Sequence, residues 1–136
     1  MKIMKRNSIR LRVLPDGLSV CKLSDLSGID LGHDLYFIGR TADEISLVTK
    51  TEDAPASAIE REDGWRGFFI DGVLDFSLIG ILAGITGVLA EAEIGIFAVS
   101  TYNTDYILVK DESLAKALRV LEEAGYTIDD GNRDQG

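Results

Sequence analysis

Cysteine, histidine and proline are almost missing from this sequence: among 136 residues there are one cysteine, one histidine and two prolines. A lone cysteine, Cys21, excludes an intramolecular disulfide and suits a reducing, cytoplasmic compartment. It stands in the alternating stretch LSVCKL, which marks it as a buried strand thiol rather than a nucleophile. Histidine-base catalysis has one candidate, His33, in a DLGHDL loop with no Ser or Cys held at a recognisable spacing. There is no nucleophile elbow, no His or Cys pair at metal-ligand spacing and no Gly-Lys-Ser/Thr phosphate loop. The expectation is a chain without catalysis, metal or cofactor. Positive charge is also scarce, 14 basic against 23 acidic residues for a net charge of -9, which argues against nucleic acid as a partner. The one long apolar stretch, Phe76 to Ala90, is too short to span a bilayer and lies between Asp75 and Glu91, so no membrane partner is expected. The start MKIMKRNSIRLRV carries charge but no apolar core of the kind a secretory signal needs.

Apolar residues are plentiful, 46% of the chain, enough for one domain or for two small subdomains sharing a core. Halves of about 60 residues would each be marginal alone. Charge is unevenly spread. Lys2, Lys5, Arg6, Arg10 and Arg12 precede every acidic residue, and the chain after Leu14 holds nine basic against 23 acidic groups. This basic start either pairs with the acidic remainder, within the chain or across a dimer, or is a solvated end.

From Ser8 to Lys50 the pattern is short and β-like: IRLRVLP, GLSVCKLS, LYFIG and EISLVTK, separated by Pro15-Asp16-Gly17, the Ser24 to Asp34 loop and Thr41-Ala42-Asp43. The polar segment TEDAPASAIEREDG reads as a linker, with one helical turn at Ser57 to Glu62 and the subdomain boundary near Pro55. Beyond it WRGFFIDG reads as a strand. FSLIGILAGITGVLAEA reads as a helix, because Leu78, Ile81, Leu82, Ile85, Val88, Leu89 and Ala92 recur at three- and four-residue spacing. IGIFAVS and DYILVK are strands. DESLAKALRVLEEAG is a second helix, capped by Asp111 or Ser113, striped by Leu114, Leu118 and Leu121, and stopped at Gly125. YTI closes as a strand. The order β-α-β-β-α-β is the split βαβ, ferredoxin-like arrangement, with both helices on one face of an antiparallel sheet. The expected division is residues 1–60, mainly β, residues 61–130, βαββαβ, and a fraying tail at 131–136.

The apolar run IGIFAVS breaks into Thr-Tyr-Asn-Thr-Asp and then resumes as YILVK. That is more polar chemistry than a turn requires. Gly80, just after VLDFSLI, falls in the first turn of the expected helix, where backbone N–H groups lack partners and the helix dipole favours an anion. Thr101, Tyr102 and Asp105 would add hydroxyls, a ring wall and an acceptor for a cation, and a site offering both charges suits an amino acid. The other reading is a hairpin turn capped by its own side chains. Both stay open on spacing alone. Gly84 and Gly87, by contrast, read as small residues that let the helix approach the sheet.

The stretch DFSLIGILAGITGVLAEAEIGIFAVSTYNTDYILVK, Asp75 to Lys110, resembles an ACT domain, of the kind found in small bacterial proteins with two ACT-like halves. It is also similar to the ACT repeats of the CASTOR-type arginine sensors and, more distantly, to the regulatory domains of aspartate kinases. The likeness covers Trp65 to about Ile128 well and the first half weakly. It implies an α+β fold of two ACT-like (ferredoxin-like) subdomains and an effector-binding module rather than an enzyme. Carried over residue by residue, the ligand contacts fall on Gly80, Ile81, Thr101, Tyr102 and Asp105. The implied partners are an amino acid or similar zwitterion, a second copy in a homodimer, and a separate regulated protein. The alternatives are an interaction domain whose pocket has decayed and, last, a small enzyme using Asp75 or Asp105.

Overall fold

The computed structural model describes residues 6–72 and 80–131, the side chain of Asn7 excepted. The expected helix start at Phe76 to Ile79, the stripe position Leu78, Asp75, Lys2, Lys5 and the tail from residue 132 lie outside the described residues. The described strands are β1 (Arg10–Val13), β2 (Leu18–Leu23), β3 (Tyr36–Arg40), β4 (Ile45–Lys50), β5 (Glu60–Ile70), β6 (Phe97–Ser100), β7 (Asp105–Lys110) and β8 (Thr127–Asp129). The helices are α1 (Ile81–Glu91) and α2 (Leu114–Glu123).

Two compact units are present, and they are not the consecutive halves expected at 1–60 and 61–130. One, the helical unit, takes residues up to Pro15 together with those from Arg66 onward; the other, the all-β unit, is Asp16–Trp65. The difference comes from β1, which pairs antiparallel with β5 (Leu11 opposite Ile70) and parallel with β8 (Leu11 opposite Ile128). Ile9 and Leu11 are buried beside Phe68, Ile70 and Ile128 in one core. A partner more than fifty residues away leaves no trace in local pattern, so β1 reads from sequence as the first strand of the β-like half.

In the helical unit the sheet runs β6-β7-β5-β1-β8. The β-α-β-β-α-β order of β5, α1, β6, β7, α2 and β8 is present, with β1 inserted between β5 and β8. The β6/β7 and β1/β5 pairs are antiparallel, and β1/β8 is the parallel one. Ile85 and Leu89 of α1 and Ala117 and Leu121 of α2 share a core with Leu11, Phe68, Ile107, Val109 and Ile128, so both helices cover the same face of this sheet. On the face away from the helices, Phe69 stacks on Tyr106 with ring centroids 4.9 Å apart. There Arg10 reaches Asp129 at 2.9 Å and Arg12 reaches Asp71 at 3.0 Å. At least part of the basic start is therefore paired within the chain. The Arg10 guanidinium and the Gly131 N–H hold the Asp129 carboxyl below the usual carboxylate range.

Both helices end by the same device with different residues. The N–H of Tyr126 returns to the carbonyl of Leu121 at 3.1 Å past Gly125, whose φ of +110° suits glycine. After α1, the N–H of Ile94 returns to Leu89 at 3.0 Å past Glu93, which holds φ of +61° with a side chain attached.

The all-β unit is an antiparallel sheet in the order β3-β4-β2-β5, with β4 crossing back to pair with β2. Its core is Cys21, Leu23, Ile45 and Leu47, against which Ile29, Tyr36, Ala54 and Ala58 pack in part. Cys21 is the buried strand thiol expected, and burial pushes its pKa up. The helical turn expected at Ser57 to Glu62 is absent: Glu60–Glu62 are strand, paired with Val20–Lys22, and a short 3-10 turn lies earlier, at Thr51–Asp53. The polar sequence EREDG hid this half of β5, because its side chains are exposed while its main chain completes the ladder. A register shift between Leu18 and Val20 falls opposite Asp63 and Gly64, where Gly64 has φ of +86°. The bulge is fastened by Asp63, which accepts the hydroxyl of the fully buried Ser19 and pairs with Arg61 at 2.7 Å.

Candidate functional site

In the helical unit β5 ends at Ile70, α1 runs back over the sheet and β6 returns, so chain order brings the end of β5, the start of α1 and the β6–β7 hairpin to one edge. Two hydrogen bonds tie this edge together. The Thr104 hydroxyl donates to the carbonyl of Ile70, and the N–H of Asp71 donates to the carbonyl of Arg10 at 2.8 Å.

Gly80 is the residue before the helix rather than part of its first turn: φ of +83° and ψ of 4° are left-handed, a conformation open to glycine at little cost. No side chain caps α1 there, and nothing described lies within 4 Å of where a Cβ on Gly80 would stand. The first intrahelical bond runs from the N–H of Gly84 to the carbonyl of Gly80 at 2.8 Å. The N–H groups of the three residues between have no acceptor in the helical pattern and point out of its end. Ile81 itself packs its side chain into the core, so what it can offer a ligand is its main chain.

The hairpin tip is Thr101 to Thr104. The Thr101 N–H donates to the Thr104 carbonyl at 2.8 Å, its hydroxyl donates to the same oxygen at 3.1 Å, and the Thr104 N–H donates back to the Thr101 hydroxyl at 3.3 Å. Thr101 thus organises the turn. Tyr102, at the tip, is 83% exposed. Asp105 opens β7 opposite Ser100, whose hydroxyl donates to its carboxylate. Strand alternation places Asp105 on the side of Ile107 and Val109, the face that α1 and α2 cover. The half-buried carboxylate and the open start of α1 therefore belong to the same edge and the same face. Ser100 was not a sequence candidate, although counting back across a hairpin with a two-residue tip from Asp105 reaches it.

The other glycines divide. A Cβ on Gly84 would stand 2.9 Å from the Tyr126 hydroxyl, a close approach to a side chain between α2 and β8 rather than to the sheet as expected, and a Cβ on Gly87 would meet nothing described within 4 Å. His33, in the all-β unit, lies 3.8 Å from an Asp30 carboxylate oxygen and 3.6 Å from one of Asp53, a loop fastening rather than a catalytic pair. Among the described residues no three His, Cys, Asp or Glu are grouped to hold a metal, and no helix is long and apolar enough to cross a membrane.

A family model described as ACT domain matches residues 60–123. The human cytosolic arginine sensor for mTORC1 subunit 1 is 39% identical over 59 residues, which are 43% of this chain and 18% of that protein. This chain thus matches less than a fifth of that relative's length. A crystal structure of a protein from Agrobacterium tumefaciens is 31% identical with a TM-score of 0.79, covering 88% of this chain and 91% of that one. The ligand-free regulatory subunit of aspartate kinase from Thermus thermophilus shares the fold, with a TM-score of 0.60 at 14% identity over 88% of this chain and 99% of that one.

Proposed function

We propose, from the premise that this chain belongs to the ACT-domain family, that it binds a free amino acid at the shared edge of α1 and the β6–β7 hairpin and has no catalysis of its own. ACT domains are regulatory, amino-acid-binding modules, so the class of function follows from the family; the ligand and the site are our reading. The observation that carries it is that Asp105 lies on the helix-covered face, at the edge of the sheet where α1 starts at a left-handed glycine with no side-chain cap among the described residues.

The ligand's carboxylate would sit on the N–H groups at Gly80 and Ile81, where the helix dipole favours negative charge. Asp105, oriented by the Ser100 hydroxyl, would take the ammonium or a cationic side chain through a charge-assisted hydrogen bond. Thr101 sets the turn and Tyr102 flanks the ligand. The acidic acceptor, and the likeness to a protein named as an arginine sensor, favour arginine. Binding acts on a separate protein in the cytosol. The molecule is a homodimer, a reading supported by β6, an edge strand of Phe97, Ala98, Val99 and Ser100 that carries no charge to discourage pairing.

A second reading, an interaction domain with a decayed pocket, draws on Thr101 being engaged within its own turn and on the exposed Tyr102 ring. A thermal-shift screen of the twenty amino acids separates the two. A ligand at a hundred times its dissociation constant adds about 2.7 kcal/mol to native stability. One or a few amino acids raising Tm, with the gain lost in Asp105→Ala, supports the binding module. A flat screen supports decay.

A further inference from the structure

In the all-β unit β3 is an edge strand: among the described strands it pairs with β4 alone, in an unbroken antiparallel register from Tyr36 opposite Thr49 to Arg40 opposite Ile45. At the turn the Thr41 N–H donates to the Glu44 carbonyl at 2.9 Å, which makes these two a hydrogen-bonded pair. Bonded pairs alternate along an antiparallel ladder. Phe37 and Gly39 therefore turn their main-chain groups to β4, while Tyr36, Ile38 and Arg40 turn theirs outward. The same three residues put their side chains on the side of Ile45 and Leu47, the core face. Cover of that face is incomplete at the edge, because Ile38, opposite the buried Leu47, is itself 37% exposed. The devices that blunt an edge are few here: β3 has no proline and no bulge, and Arg40, at its end, is its one charge.

We propose that a second copy pairs with this edge, β3 against β3 and antiparallel, about a two-fold axis at Ile38. In that register the strand is its own complement. Ile38 covers the partner's Ile38, and each outward-facing residue exchanges both of its main-chain hydrogen bonds. Arg40 meets the ring of the partner's Tyr36, with the exposed carboxylate of the partner's Asp34 close by, and stands away from the partner's Arg40. A parallel pair in register would set the two arginines against each other. The inference rests on the homodimer reading and deepens it by naming the contact. A dimer needs one edge, and an interface at β6 as well would extend the assembly without closing it. β6 is shorter and uncharged, so nothing in it fixes a register, whereas β3 matches itself in one. The contact joins the all-β units of two chains into one continuous sheet and uses none of the candidate ligand residues.

Sedimentation of the full chain at micromolar concentration, together with disulfide trapping, tests this. The wild type sediments as a dimer. Ile38→Lys, which sets like charges directly opposite each other, raises the dimer dissociation constant about tenfold or more. Ile38→Cys forms an interchain disulfide about tenfold or more faster than Ala98→Cys or Val99→Cys in the middle of β6, since the paired Cα atoms at the axis lie about 5.5 Å apart. Cys21, being buried, stays in place. A wild-type monomer removes the homodimer reading and this contact together. A dimer that Ile38→Lys leaves intact, or trapping in β6 as fast as at Ile38, keeps the homodimer and overturns the contact at β3. The trapping comparison decides the matter by itself if Ile38→Lys disturbs folding.

Discussion

The two units each cover one face of a sheet, and they do so by unlike means. In the helical unit, α1 and α2 lay continuous apolar stripes over β1, β5, β7 and β8, and fourteen residues are buried together, Phe68, Ile85 and Leu121 completely. In the all-β unit, partly buried Ile29, Tyr36, Ala54 and Ala58 pack on four buried residues, with Tyr36 from β3 and the others from loops. A helix shields a face and also ends in directed, unpaired N–H groups; a loop shields but supplies no such end. The contrast explains why the candidate ligand edge lies in the helical unit, while the all-β unit spends its polar side chains on fastening, as Ser19 and Arg61 do for Asp63.

The sharpest way to break this comparison is in the two cores. Phe68→Ala should cost about 3–5 kcal/mol in urea unfolding and Leu47→Ala about 2–3, because a cavity costs more where more atoms surround it. An equal or larger loss at Leu47 would mean that loop cover packs as well as helix cover. The next largest effects come from the glycines of α1. Gly84→Ala should lose about 1–2 kcal/mol despite its better helix propensity, since its Cβ meets the Tyr126 hydroxyl at 2.9 Å. Gly87→Ala, with open space around it, should gain about 0.5–1 kcal/mol. Glu93→Gly should gain roughly 1 kcal/mol by removing a side chain from a left-handed backbone, which would bring the end of α1 into line with that of α2.

The smallest expected effect is a change in pH dependence. Arg10 lowers the pKa of Asp129 in the helical unit, and Arg61 with Ser19 lowers that of Asp63 in the all-β unit. A carboxylate with a depressed folded-state pKa stabilises the fold above its unfolded value, near 4, and loses that contribution as pH falls through the folded value. Asp129→Asn and Asp63→Asn should each flatten the loss of Tm below about pH 4, and neither should change its slope near pH 7. An unchanged acid slope in either variant would remove that ion pair from the account of its unit.

The helical unit was the more legible from sequence, and for a physical reason. Helix stripes and the β7 run DYILVK are local periodicities, and their partners follow them closely in the chain. What escaped was set by distant main-chain pairing: β1, which joins β5 and β8, and the first half of β5, whose exposed EREDG has no apolar alternation to read. At the candidate site, the residue types at Gly80 and Asp105 drew attention to this edge of the sheet. The left-handed Gly80, the turn bonds of Thr101 and the Ser100–Asp105 pair needed backbone angles and strand register.

The central claim is that this edge of the helical unit binds an amino acid through Asp105. Isothermal titration of arginine into the wild-type chain and into Asp105→Ala tests it most directly, with the unliganded Tm of both proteins as the control for folding. Saturable binding to the wild type, weakened about tenfold or more in a variant whose unliganded Tm is nearly unchanged, is the predicted result, since a charged hydrogen bond of about 1.5–3 kcal/mol is lost. Arginine binding of equal strength to both proteins, or a variant that loses fold stability while the wild type binds nothing, would contradict it and leave Asp105 as a residue of the turn.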